Sequence, residues 1–274
     1  METQRTRTIF ERERIYYLKK YLLTMGGFEY GWSRHNDEGI FRDYNAEADR
    51  LIESAKPWKL ECIKFDNDYI LNWEYYNEYE ETLSKPGFGF AFKPICFYET
   101  LKQTNEGDLL LFVDSNHVVA KDPSIYYEVM DKYSIFAHDH IWTYYPNKDW
   151  TKKDTFINMG CDEERYWNSP QIHCCITGIK NNDFGRMLCK EYLDYCLDWR
   201  ITFGENKNPN FTSFKENRHN QSIWSIMIEK YKIPYVNRTA NPWIESIIPE
   251  LPFITTKNPV DNSHRAEQDR KDIR

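Results

Sequence analysis

Apolar and polar positions along this chain alternate between strand-like and helix-like spacing. Residues 9–23 interleave charges with Ile, Tyr and Leu, as an amphipathic helix or an N-terminal extension would. LLTMGGF at 22–28 reads as a short strand running into a glycine turn. NAEADRLIESA at 45–55 has helical spacing, which Pro57 ends, and residues 58–65 alternate as a second strand. Residues 66–84 are polar, Tyr-rich and predicted helical, and Pro94 suits the first position of a helix over 95–105 that stops at Gly107. The five apolar residues of LLLFV, 109–113, predict a strand buried on both faces. Further strands are expected at 133–137 and 172–179. Residues 183–199 form an amphipathic helix whose stripe (Phe184, Leu188, Tyr192, Cys196, Trp199) is core, and a helix over 221–231 follows an N-cap at Asn220. This alternation predicts an α/β fold, a mostly parallel central sheet with helices on both faces. The expected division is a helical extension at 1–20, one catalytic domain at 21–255, and a charged tail without periodicity at 256–274.

In such sheets ligands bind just beyond the carboxyl ends of the strands. Asp114 and Asn116 follow the apolar run at that place, and their oxygens suit a hard cation such as Mg²⁺ or Mn²⁺ that holds a phosphate. The same residues also suit a plain turn cap. With 274 residues the chain is long enough for a sizeable core. Aromatic content is high at 16 %, with 20 Tyr and 9 Trp; beyond filling a core, such side chains suit stacking on sugars or bases. A net charge of −7 with scattered Lys and Arg argues against nucleic acid as a partner, although not against a nucleotide. The 7 cysteines form no CxxC pair and read as free thiols in a reducing compartment. No run approaches a membrane span, and the charged N-terminus is unlike a secretory signal, so a cytoplasmic location is expected.

Several segments, taken in order, resemble a family of small GT-A-fold sugar-nucleotide glycosyltransferases. GFGFAFKPICFYETLKQTNEGDLLLFVDSN matches a Gly-aromatic turn, a Trp-Lys-Pro (here Phe92-Lys93-Pro94) and an apolar strand ending in an acidic triplet (here Asp114-Ser115-Asn116). DWTKKDTFINMGCDEERYWNSPQIHCCITGIK resembles the family's Trp-Thr-Lys segment and the Gln-containing strand after it, and ENRHNQSIWSIMIEKYKI its His-Arg-x-Asp-Gln-Ser helix start. The likeness covers roughly residues 24–237. Two departures, Asn116 and Asn220 where the family has Asp, remove negative charge and weaken or abolish divalent-metal binding.

The resemblance implies transfer of a sugar from a nucleotide-sugar, a UDP-sugar first, to a glycan or other hydroxyl acceptor, assisted by Mn²⁺ or Mg²⁺. Asp114 and Asn116 are the expected metal contacts, with His264 as third ligand. Thr24, Gly26, Gly27 and Tyr30 are expected to cradle base and ribose, joined by Ser115. Lys93 pairs with diphosphate or sugar. Gln221 stands near the reacting carbon, a placement that slightly favours retention; an inverting course would need a base, for which Asp139 is the candidate. Arg218 and His219 are expected to meet phosphate or acceptor, and Lys152 or Lys153 and Gln171 the sugars. Asp114→Ala is expected to abolish transfer at nearly unchanged melting temperature. Two other readings stand beside this one. The Asn departures suit a degenerate relative that only binds a nucleotide or glycan. The His138–His140 spacing, which puts both imidazoles on one side of a strand, suits a zinc hydrolase, although no third ligand is recognisable.

Overall fold

In the computed structural model, residues 18–27, 43–139 and 145–236 are described, together with the backbone of the strand Phe253–Thr255. Five strands form the central sheet: β1 (Lys20–Met25), β2 (Glu61–Phe65), β3 (Leu109–Val113), β5 (Ile135–Asp139) and β6 (Ile172–Lys180), in the order β2-β1-β3-β6-β5. β1 is parallel to β2 and β3, while β6 is antiparallel to both β3 and β5. Four strands therefore share one direction and β6 alone opposes them, the mostly parallel sheet that the alternation predicts. A second, two-stranded sheet pairs β4 (His117–Val119) with β7 (Phe253–Thr255), which lays a C-terminal segment beside the turn that follows Asp114.

Helices of ten residues or more are α1 (Tyr44–Ala55), α2 (Phe92–Gln103), α3 (Ser124–Tyr133), α4 (Asp183–Leu197) and α5 (Asn220–Lys230). Every residue of β3 is buried, and its side chains alternate between two apolar cores. Leu110 and Phe112 join Ile95, Phe97, Tyr192 and Trp224 on the face covered by α2, α4 and α5. Leu109, Leu111 and Val113 join Leu51, Tyr126, Tyr127 and Met130 on the face covered by α1 and α3. A five-residue apolar run is thus what a strand with helices on both sides requires.

The structure departs from the sequence reading in three places. Residues 20–23 belong to β1, not to a helix spanning 9–23. Residues 66–84 are helical only in short pieces, Asn67–Leu71, Tyr76–Tyr79 and Glu80–Leu83, because their polar sequence supplies no continuous apolar stripe. Helix α2 starts two residues before Pro94, which then sits within the first turn, where its missing N–H leaves no hydrogen bond unmade.

Candidate functional site

The carboxyl ends of β1 and β3 and the amino end of β6 meet at one rim of the sheet. Met25 and Asp114 from the first two strands, with His173, Cys174 and Cys175 from the third, line a cavity of about 440 Å³. Its remaining walls come from the start of α2 (Phe92, Lys93), the turn Ser115–Asn116, Tyr44, and residues 216–221 leading into α5. Of the expected site residues, Lys93, Asp114, Ser115, Asn116, Arg218, His219 and Gln221 are brought together here. Thr24, Gly26, Gly27, Asp139, Lys152 and Gln171 are not among the lining residues, and Tyr30, His140 and His264 lie outside the described residues.

At the centre stands an ion pair that neither residue type announces alone. Lys93 Nζ lies 2.7 Å from Asp114 Oδ1 and also donates to the Cys174 carbonyl. The lysine side chain is 6 % exposed and the aspartate 36 %, so the cation is interior while the anion faces the cavity. Burial lowers the Lys93 pKa, but the Asp114 carboxylate and its hydrogen bond, together with the sulfurs of Cys174 and Cys175, outweigh it in sum, and the group stays charged, above the ordinary lysine value. The aromatic faces of Phe112 and Phe92, with centroids 5.4 Å and 5.8 Å from Nζ, add to the cation's surroundings. Backbone bonds fix Asp114 itself: its N–H donates to Cys175 O at 2.8 Å, and its carbonyl accepts from the His117 N–H at 3.2 Å.

This arrangement bears on the expected Mn²⁺ or Mg²⁺. A hard ion wants several oxygen ligands. The described residues offer one carboxylate beside the Asn116 amide, and that carboxylate already meets an ammonium. The other carboxylate at the cavity, Glu216, pairs with Arg218 at 2.7 Å. The donor set fits a hard divalent ion incompletely, and no chemical step below is routed through one.

The entrance to α5 is strained. His219 has φ 49 and ψ −117, a backbone that favours glycine, and its ring lies between Phe90 and Phe203 with centroids 4.5 Å and 4.4 Å away. Burial, together with the charges of Lys152 and Arg218, lowers its pKa to about 4, so the imidazole is neutral at pH 7. Phe90 reaches this sandwich from a left-handed turn, with φ of 60, 53, 61 and 62 over residues 87–90, a conformation that suits Gly87 and Gly89 and strains Phe88 and Phe90. Arg218 stays exposed with its guanidinium 4.6 Å from the Trp150 ring centroid. Gln221 is held from behind: its Nε2 donates to Gln171 Oε1 at 2.8 Å, and Gln171 Nε2 donates to Asn147 Oδ1 at 2.7 Å and to Thr151 Oγ1 at 3.1 Å. The sequence reading places Gln171 against sugar; the structure gives it the task of orienting Gln221.

Other expected ligand contacts serve as interior ties. The Thr24 hydroxyl donates to Val113 O at 2.8 Å and joins β1 to the tip of β3. A Cβ on Gly26 would lie 2.5 Å from Asn45 Oδ1, so a side chain there would displace the Asn45 amide at the start of α1. Lys152 Nζ donates to Gly204 O at 2.9 Å, and Lys153 pairs with Asp162. Asp139 is buried at the end of β5.

The His138 neighbourhood differs from the expected His138–His140 pair. The antiparallel register sets His138 opposite His173, and Cys175, two residues further along β6, shares the face of His173. Their ligand atoms all lie within 4.8 Å of one another. His173 and Cys175 are functional candidates that sequence reasoning missed; the signal was a His-x-Cys spacing inside a strand.

No family model matches the chain, and no curated protein sequence does either. Solved structures similar to it include mouse xyloside xylosyltransferase 1 (TM-score 0.45, 11 % identity, 84 % of this chain and 90 % of that one). A glycosyltransferase involved in glycosylating the major capsid of PBCV-1 is also similar (TM-score 0.39, 11 % identity, 92 % and 99 % covered). So is the galactosyltransferase LgtC in complex with donor and acceptor sugar analogs (TM-score 0.42, 10 % identity, 87 % of each chain).

Proposed function

We propose that the chain is a glycosyltransferase that moves a sugar from a nucleotide-sugar, a UDP-sugar first, to a hydroxyl of a glycan or glycoconjugate. The observation that carries this reading is the buried Lys93–Asp114 pair at the carboxyl end of the central strands, facing a cavity of about 440 Å³. In glycosyl transfer the bond from the anomeric carbon to the diphosphate oxygen breaks, and its electron pair stays on the diphosphate. A fixed cation in a partly desolvated site stabilises that developing charge without reorganising. Arg218 offers such a cation at the cavity mouth, and Lys93, behind Asp114, offsets the carboxylate that a diphosphate would otherwise meet.

The acceptor hydroxyl then bonds to the anomeric carbon and gives up its proton. In a retaining course the proton passes to the departing diphosphate; in an inverting course a carboxylate takes it. Gln221 lines the cavity with its amide held by Gln171, whereas Asp139 does not line it, which favours retention. A second reading, binding of a nucleotide or glycan without transfer, is supported by Asn116 and Asn220, where the resembled family has carboxylates.

The deciding experiment combines two measurements. Thermal shift with UDP, GDP and CMP, each with and without Mn²⁺, identifies the base and any metal requirement. Release of nucleoside diphosphate from a donor panel, with and without glycan acceptors, reads transfer. Stabilisation by one nucleotide with no turnover of any donor moves the assignment to the binding protein, and stabilisation by none, with no donor turned over, overturns transfer and nucleotide binding alike.

A further inference from the structure

We infer that His138, His173 and Cys175 form a zinc site in the wall of the cavity, next to Asp114. The three ligand atoms come from neighbouring antiparallel strands, with His138 paired opposite His173 just after an irregularity in the register between Phe136 and His138. Cys175 Sγ lies 4.0 Å from His138 Nε2 and 2.6 Å from His173 Nδ1. In a tetrahedral site with Zn–S of about 2.3 Å and Zn–N of about 2.0–2.1 Å, sulfur and nitrogen ligands stand about 3.6 Å apart. The observed separations fall on either side of that value, and an ion at the centre of the cluster would draw the sulfur away from His173 and toward His138.

The tautomer of His138 is set by its surroundings. Its Nδ1 lies 3.0 Å from the Asp139 carbonyl, and a carbonyl only accepts, so Nδ1 carries the proton and donates. The lone pair is therefore on Nε2, the atom nearest Cys175, and the backbone bond fixes the ring as a metal-bound imidazole is commonly fixed. One thiolate and two imidazoles match borderline and soft ions such as Zn²⁺, in contrast to the hard Mn²⁺ or Mg²⁺ considered for Asp114. Binding converts the Cys175 thiol to thiolate and releases its proton to water. Three protein ligands leave a fourth position, and because His173 and Cys175 line the cavity it lies on the cavity side, as in zinc sites that polarise an oxygen. This inference is independent of glycosyl transfer.

Cobalt is the probe. The full chain, stripped with chelator and kept under a non-thiol reductant, is titrated with Co²⁺ and then back-titrated with Zn²⁺. One ion per chain is expected, with the near-ultraviolet thiolate-to-cobalt band and the visible bands of a tetrahedral ion, both erased by stoichiometric Zn²⁺. Cys175→Ser should remove the thiolate band, and His138→Gln should weaken Zn²⁺ binding at least about tenfold. Cys174→Ala, which alters the neighbouring thiol that faces the opposite core beside Tyr192, should retain the spectrum. Melting curves without metal show that each variant is folded. Folded wild type that binds no stoichiometric ion, or a thiolate band that persists in Cys175→Ser, overturns the assignment.

Discussion

Removing the charge from either end of the Lys93–Asp114 pair should have unequal consequences. Asp114→Asn keeps shape and leaves the lysine side chain, 6 % exposed, with the Cys174 carbonyl and a neutral amide in place of a carboxylate. Stranding a buried charge in this way costs about 3–5 kcal/mol. Lys93→Met leaves the opposite half, and Asp114, 36 % exposed, can rehydrate from the cavity. That change loses one ion pair and one hydrogen bond, about 1–3 kcal/mol. Asp114→Asn should therefore melt on the order of 10 °C below wild type and Lys93→Met only a few degrees below it.

The pH dependence should also reverse. In wild type the folded Lys93 pKa is raised, so its contribution is complete below the ordinary lysine value of about 10.4 and is lost as pH climbs through the folded pKa. In Asp114→Asn the carboxylate no longer opposes burial and the folded pKa falls. The unfolded chain then holds the proton more firmly than the native one, and stability rises with pH toward that ordinary value. Urea unfolding followed by tryptophan fluorescence, from about pH 7 to pH 10, should show stability rising with pH in Asp114→Asn, while the Lys93 contribution in wild type stays flat below about 10.4. An Asp114→Asn protein no less stable than Lys93→Met, or one whose stability does not rise with pH relative to wild type, would refute the reasoning. The sequence alone gave Asp114 no stabilising partner, so a loss of transfer without a change in melting was expected there; the interior lysine changes that expectation.

Two further outcomes follow from neighbouring groups. The folded His219 pKa of about 4 lies below the ordinary 6.5, so its contribution is complete above 6.5 and is lost as pH falls toward 4; His219→Phe should flatten stability over that window by about 2–3 kcal/mol, read from urea midpoints. Gln171→Leu leaves the Asn147 and Thr151 side chains short of a buried partner and should cost about 2–4 kcal/mol, whereas Gln221→Ala, at the end of the same relay, should lower turnover with less than about 1 kcal/mol of stability lost; comparable destabilisation of both would contradict the division between support and site.

Much of the sheet was legible because burial on both faces leaves an unbroken apolar run, as in 109–113, and because alternation gave β2 and the neighbouring helices. Lys93 and Asp114 were each readable as site residues, the first from its place before Pro94 and the second from its place after the strand. Their contact was not, since it depends on how α2 packs against β3. The same limit hid the His138–His173–Cys175 cluster: strand spacing puts residues 173 and 175 on one face, but only inter-strand register selects their partner. Thr24 and Lys152 illustrate the converse. Polar side chains near a predicted site look like ligand contacts, yet neither of these lines the cavity, and each donates a hydrogen bond to a backbone carbonyl inside the fold.

The reversed direction of β6 has a practical corollary. It brings that strand's first residues, instead of its last, to the pole where β1, β3 and β5 end, and concentrates the reactive side chains at that pole. Among the described residues, the opposite pole, where β3 begins after Glu106, carries surface pairs such as Glu106–Arg186. A chain tethered to a support through position 106 would turn its cavity away from that support.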